Sequence, residues 1–189
     1  MEKPKKQQIL DAALQLFAKR GYDGTTVPMI AEEAKVGTGT IYRYFENKEV
    51  LMNTLFQKCL TAFADELQKD FPYESTDVKE QFDHMFDGMG RYASNHLTDI
   101  VFIDAHVEGY YLDEESTLCF NRLMNFLGSV IRSGQQSGVI KNLPSSALIS
   151  LVYGGFARFY KDMKLGYIEE NRELLDGIKE CCWDAVRIH

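Results

Sequence analysis

Residues 25–48 read TTVPMIAEEAKVGTGTIYRYFENK, and their punctuation decides the fold. Thr25 and Thr26 are N-cap residues, with hydroxyls suited to accept from the free amides of a first helical turn. Pro28 falls inside that turn, where its missing N–H costs little. Ile30, Ala31 and Ala34 follow on one helix face, so a short helix is expected, ending near Lys35. After the break at Lys35-Val36-Gly37 a second short helix begins, capped by Gly37 or Thr38, with Ile41 and Phe45 four residues apart on its buried side. Small Ala31 suits a close helix crossing and Val36 is expected inside the turn, which together are the parts of a helix-turn-helix.

The flanking sequence is helical as well. Ile9, Leu10, Ala13, Leu14, Leu16 and Phe17 make an apolar stripe over residues 5–20, stopped by Gly21 after Lys19 and Arg20. Asn47 caps a longer segment in which Val50, Leu51, Leu55, Cys59, Ala62 and Phe63 keep helical spacing to about Lys69. Further helical stretches are expected at 76–95, 98–111, 114–136, 145–165 and 169–187, punctuated by Phe71-Pro72, Gly134, Gly138, Pro144 and Gly166. With no convincing strand or internal repeat, the expected fold class is all-α. Residues 1–48 form a three-helix bundle with the helix-turn-helix, and residues 49–189 a larger helical domain.

Bulk composition excludes several classes. The 189 residues are 45% hydrophobic, enough for a core. Residues 1–8, MEKPKKQQ, are too polar for a signal peptide, and no run approaches the ~18 apolar residues of a membrane span. Cys59, Cys119, Cys181 and Cys182 fit neither a CxxC pair nor a disulfide framework, so a cytoplasmic location without membrane partners is expected. The formal net charge is -7. It is unevenly spread: residues 1–48 carry eight Lys and Arg against six Asp and Glu, leaving -9 for the remainder. A polyanion partner at the N-terminal bundle is therefore compatible with an acidic whole.

The second helix of the motif shows Thr38, Gly39, Thr40, Tyr42, Arg43 and Tyr44 to solvent. Hydroxyls and a guanidinium reach base edges or phosphates, tyrosine rings pack on sugars, and Gly39 lets the backbone lie close to a groove. From Ile9 to Leu51 the chain resembles the N-terminal domain of the TetR family of bacterial transcriptional regulators. The matching positions include Ala13, Phe17, Gly21, Thr26, Ile30, Ala31, Ala34, Val36, Gly39, Thr40, Tyr42, Phe45, Lys48 and Leu51. Two departures flank the second helix: Lys35 where the family often has glycine, at a turn that favours positive φ, and Gly37 where it often has serine, a better cap.

That resemblance implies a DNA-binding transcriptional regulator. Thr38, Gly39, Thr40, Arg43 and Tyr44 would lie in or beside the major groove, Tyr42 and Lys48 would bind phosphates, and Thr26 would anchor the first helix of the motif to the DNA backbone. It further implies a homodimer on a palindromic operator and a C-terminal domain that binds a small effector. Three aromatic and methionine rows suit an apolar effector cavity, and equally an ordinary core: Phe82, Phe86, Met89 and Tyr92; Phe102, His106 and Tyr110; Met124 with Phe120 and Leu127. Phe156 joins these as a candidate. For the dimer interface the candidates are Leu148, Val152, Phe159 and Met163 on one helix, and Leu174, Ile178, Cys182 and Ala185 on the next.

Enzyme chemistry finds no footing. Gly37-Thr38-Gly39 lacks a preceding strand and a third glycine, so it is no dinucleotide loop. His106-Val107-Glu108 resembles the H-x-E of zinc deaminases, but Cys181 and Cys182 are adjacent and not spaced as ligands. Asp83, His84 and Asp87, and the pair Asp104 and Glu108, read as solvated surface, so no catalytic residue, metal or cofactor is expected. The competing classes are a protein-binding helical module and a helical enzyme or lipid carrier, neither of which binds DNA in a salt-dependent way. The effector, the operator and the sign of regulation are not written in the sequence.

Overall fold

A computed structural model describes residues 4–169 and 171–189. The described chain forms eight α-helices: α1 Lys5–Arg20, α2 Val27–Glu33, α3 Thr38–Tyr44, α4 Lys48–Gln68, α5 Val78–His106, α6 Glu114–Gln136, α7 Ser145–Lys164 and α8 Arg172–Val186. Among the described residues the only extended pairing is one bridge, Ile140 to Arg187. No helix is long and apolar enough to cross a membrane among the described residues.

Helix ends follow the local chemistry of the chain. Gly21 adopts φ 70 and closes α1 through its amide to the Phe17 carbonyl. Thr26 caps α2, accepting from the Met29 amide. Thr25 is fully buried and donates to Gly21 O at 2.8 Å. Asn47 Oδ1 accepts from Val50 N at 2.9 Å and starts α4. Asp113 Oδ1 accepts from Ser116 N at 2.8 Å, and Asn171 Oδ1 from Leu174 N at 2.8 Å, giving α6 and α8 the same device.

The stretches expected at 76–95 and 98–111 are both helical and meet at a break: α5 is two helical segments joined across a kink at His96, whose φ of -134 and ψ of 33 are non-helical. The end is revised, since α5 stops at His106 and not near residue 111.

Two compact units arise. The first comprises the described residues up to Ala62 together with Thr98–Phe120. Its core joins Ile9, Ala13 and Phe17 of α1 to Ile30 and Ala31 of α2, Ile41 of α3, Leu51, Met52, Leu55 and Phe56 of α4, and Phe102 of α5. The second unit comprises residues 63–97 and 121–189. Phe82, Met85, Phe86 and Met89 of α5, Val130 and Ile131 of α6, Phe156 of α7 and Trp183 of α8 are buried in it. Ion pairs of Lys79 with Glu180 and of Lys179 with Asp87 join α5 to α8 along its surface.

Candidate nucleic-acid interface and effector cavity

The helix-turn-helix is assembled by sterics at its turn. Val36 N donates to Ala31 O at 2.9 Å, and Lys35 takes φ 54, the left-handed conformation that glycine would adopt without strain. Gly37 then precedes α3 with φ -72 and contributes no side-chain cap. Both departures noted in the sequence thus fall where they weaken the presentation of α3. Ile41 and Phe45 are buried and anchor α3, so the opposite face is turned outward.

On that face Tyr42, Arg43 and Tyr44 are exposed, as is Gly39, while Thr38 and Thr40 are half-buried. Neither Tyr42 nor Arg43 has a hydrogen-bond or ion-pair partner among the described residues. A Cβ on Gly39 would meet nothing within 4 Å. No packing inside the chain demands glycine there, and the space in front of the helix is open to a partner. Thr26 is exposed beside this face at the start of α2.

Lys48 has a different setting from its neighbours. Its Nζ donates to Tyr22 O at 2.9 Å and Thr25 O at 3.0 Å, and lies 3.9 Å from the centre of the Tyr22 ring. An ammonium has three donors, so one remains for an outside acceptor.

A second feature lies in the other unit. Phe63 of α4, Phe82, Met85, Phe86 and Met89 of α5, Leu127 and Ile131 of α6, and Leu148, Ile149, Val152 and Tyr153 of α7 line a partly open cavity of about 50 Å³. Its walls are hydrocarbon and aromatic, and the Tyr153 phenol is the one polar side chain among the lining residues. Drug-sized ligands occupy pockets of ~300–1,000 Å³, so an effector of ordinary size enters only by moving the walls.

The candidate residues sort as follows. Phe82, Phe86 and Met89 line the cavity. Phe156 is fully buried behind it, edge-on to Phe86 with ring centres 5.6 Å apart. Tyr92 packs on Phe63 at 5.3 Å, and Met124 is half-buried on α6 without lining the space. Phe102 and His106 sit in the first unit with Phe17, and Tyr110 is 79% exposed. The sequence rows omit Phe63, Ile131, Ile149 and Tyr153, which belong to three different helices, so no single helical row unites them.

The α7 and α8 candidates divide by depth. Leu148 and Val152 face the cavity, and Phe159 is buried. Met163, Leu174, Ile178, Cys182 and Ala185 are half-buried. The outer face of α7 carries exposed Leu151 with Gly154 and Gly155, where an added Cβ would meet nothing within 4 Å.

No group of three His, Cys, Asp or Glu side chains is placed to hold a metal ion among the described residues. Asp83 is paired with Lys79, and His84 Nε2 donates to Lys69 O at 2.8 Å.

In sequence, residues 9–55 match the bacterial regulatory proteins of the tetR family, and residues 56–188 match the tetracyclin repressor-like C-terminal domain. The chain is 29% identical over 141 residues to the fatty acid metabolism regulator protein of Bacillus subtilis (strain 168), spanning 74% of this chain and 73% of the relative. In fold it is similar to a TetR family transcription regulator from Marinobacter aquaeolei VT8, with a TM-score of 0.85 at 22% identity over 98% of this chain and 96% of that one. The transcriptional regulator FadR from Bacillus subtilis, solved in complex with stearoyl-CoA, gives a TM-score of 0.69 at 23% identity over 97% of this chain and 99% of that one.

Proposed function

The chain belongs to the tetR family of bacterial regulatory proteins, and from that premise we propose that it is a cytoplasmic homodimeric repressor, released from a palindromic operator when a small, largely apolar effector fills the C-terminal cavity. The family is one of transcriptional regulators and not of enzymes, in keeping with the expected lack of catalytic residues.

The observation that carries the proposal is the outward face of α3, where Tyr42 and Arg43 are exposed and unpartnered among the described residues and Gly39 opens onto empty space. In this reading Arg43, Thr38, Thr40 and Tyr44 meet the major groove, Tyr42 and the free donor of Lys48 meet phosphates, and Thr26 holds the backbone at the start of α2. One such helix reads too few bases, so two are needed, about a helical turn of ~34 Å or a multiple apart. The outer faces of α7 and α8 are the surface for the second copy: Leu151, Gly154 and Gly155 with half-buried Met163, Leu174, Ile178, Cys182 and Ala185.

Effector action follows from helix continuity. Phe63, one turn from the end of α4, lines the cavity, and Lys48 begins the same helix beside α3. Walls that move to admit a ligand therefore move α4, and with it the recognition helix. Coupling of this kind is typically ~1–3 kcal/mol and is reciprocal. The uncharged lining, together with the stearoyl-CoA held by FadR, makes a long acyl chain the first effector to test.

Selection of bound fragments from the protein's own genome, with and without stearoyl-CoA, tests both halves. Recovery of a shared palindrome supports DNA recognition, and its loss with the acyl thioester supports the effector class. Recovery of fragments without a common motif overturns the operator reading. An unchanged yield with stearoyl-CoA overturns the acyl-chain assignment alone.

A further inference from the structure

Within the first unit, the turn between α5 and α6, residues 107–113, is tied to α1 and α4 by a buried polar cluster centred on Tyr111. The Tyr111 ring stacks on Tyr22 with centres 3.9 Å apart and planes 23° apart. The Lys48 ammonium is also 3.9 Å from the centre of Tyr22. Two groups that close to one ring centre share it only from opposite faces, so Tyr22 is held between Tyr111 and Lys48.

The Tyr111 hydroxyl donates to His106 Nδ1. His106 is 2% exposed, and its Nε2–H donates to Phe17 O at 3.2 Å, near the end of α1. The Tyr111 carbonyl accepts from Asn53 Nδ2 of α4 at 2.8 Å. Asn53 is 3% exposed and spends its remaining groups in the same place: Nδ2 also donates to Glu49 O, and Oδ1 accepts from Asp113 N and Ser116 Oγ. Thus the side chain of Tyr111 engages the end of α1, and its backbone engages α4.

Gly109 completes the device. A Cβ there would penetrate the Tyr111 ring, so glycine is what lets the ring fold back across the turn. An ordinary apolar contact would hold α1 and α4 together without such a cluster. Buried polar networks add geometric definition, because each member is satisfied in one arrangement only.

We propose that Tyr111 is a positioning residue, fixing the start of α4 against the end of α1 and thereby setting the separation of the two recognition helices in the dimer. This rests on the DNA-binding reading above. Residue 111 touches no DNA in this account and acts through Tyr22, Lys48 and Asn53. The α5–α6 turn is also the direct continuation of α5, the helix that lines the cavity at Phe82–Met89 and kinks at His96.

The test uses full-length protein and duplexes carrying the two selected half-sites at spacings varied one base pair at a time. Wild type should prefer one spacing. Tyr111→Ala and Gly109→Ala should each flatten that preference by about threefold or more while the half-site sequence stays the same. Tyr111→Phe, which keeps the stack on Tyr22 but loses the hydroxyl bond to His106, should flatten it less than Tyr111→Ala does. A loss of stability alone weakens binding at every spacing by one factor. That uniform loss, or an unchanged profile in both alanine variants, overturns the proposal. Gly109→Ala carries the test if Tyr111→Ala does not fold. Failure of wild type to retain any duplex overturns the DNA-binding reading itself.

Discussion

Lys48 Nζ caps the carbonyl of Tyr22 at 2.9 Å while resting over the ring of the same residue. The helix macrodipole disfavours a cation at the first position of α4. The two carbonyls and the aromatic face offset that cost and pin α4 to the loop after α1. Lys48→Ala should therefore do two things. Thermal denaturation should show a loss of about 1–2 kcal/mol, from two charge-assisted hydrogen bonds and a partly exposed cation–π contact. The salt dependence of operator binding should fall by roughly one unit, from the remaining donor on phosphate. A stability loss with an unchanged salt slope would make Lys48 purely internal.

Tyr42 is more than half exposed at the middle of α3 and makes no hydrogen bond among the described residues. Tyr42→Phe should leave stability unchanged. It should weaken all duplexes alike, by about 0.5–1.5 kcal/mol for one neutral hydrogen bond. Competition titrations with operator and random DNA check this. A selective loss on the operator alone would move Tyr42 from phosphate to base recognition.

Lys35 sits at φ 54 in the turn before α3. A non-glycine residue there carries roughly 1–2 kcal/mol of steric cost, which glycine avoids at the expense of greater chain entropy. Lys35→Gly should stabilise the protein by about 0.5–1 kcal/mol, visible as a higher melting temperature. Gly37→Ser should add only a few tenths, the usual difference between these caps. A lower melting temperature for Lys35→Gly would mean that the lysine side chain contributes more than its backbone costs.

How much of this was legible in the chain depended on range. Thr26, Gly21 and Asn47 act within three or four residues, so α1 to α4 could be bounded closely. Ile41 and Phe45 announced which face of α3 is buried, and hence which face is free. The break at His96 is legible as well, because the helical periodicity slips between residues 95 and 98, where the backbone leaves the helix. The row Phe102, His106, Tyr110 shows helical spacing, yet spacing does not name the core a row enters. Phe102 and His106 meet Phe17, 85 and 89 positions away in sequence, and no local pattern encodes that. Likewise Gly109 looks like an ordinary turn residue until the Tyr111 ring is seen lying over it.

His106 supplies a pH dependence. Burial lowers its pKa below the usual 6.5, against the opposing pull of the Phe17 carbonyl. Above about pH 6.5 the imidazole is neutral in folded and unfolded chains and contributes no slope. As pH falls below that value, the unfolded chain takes up a proton that the folded chain refuses, and stability drops until the folded-state pKa is passed. Melting temperatures measured from about pH 8 to pH 5 should decline in the lower half of that range, and His106→Gln should remove part of the decline. Identical slopes in both proteins would show that other groups carry it.

If the outward face of α3 reads an operator, Arg43 is the side chain whose loss should show it. The most direct measurement is the affinity of wild type and Arg43→Ala for the selected operator and for single-base variants, at salt between about 50 and 200 mM. Two chains should bind each duplex, with affinity that falls steeply with salt and a loss of about 1–3 kcal/mol of discrimination at one base pair of each half-site in the variant. Affinity that ignores both salt and the loss of the guanidinium would contradict operator reading by α3.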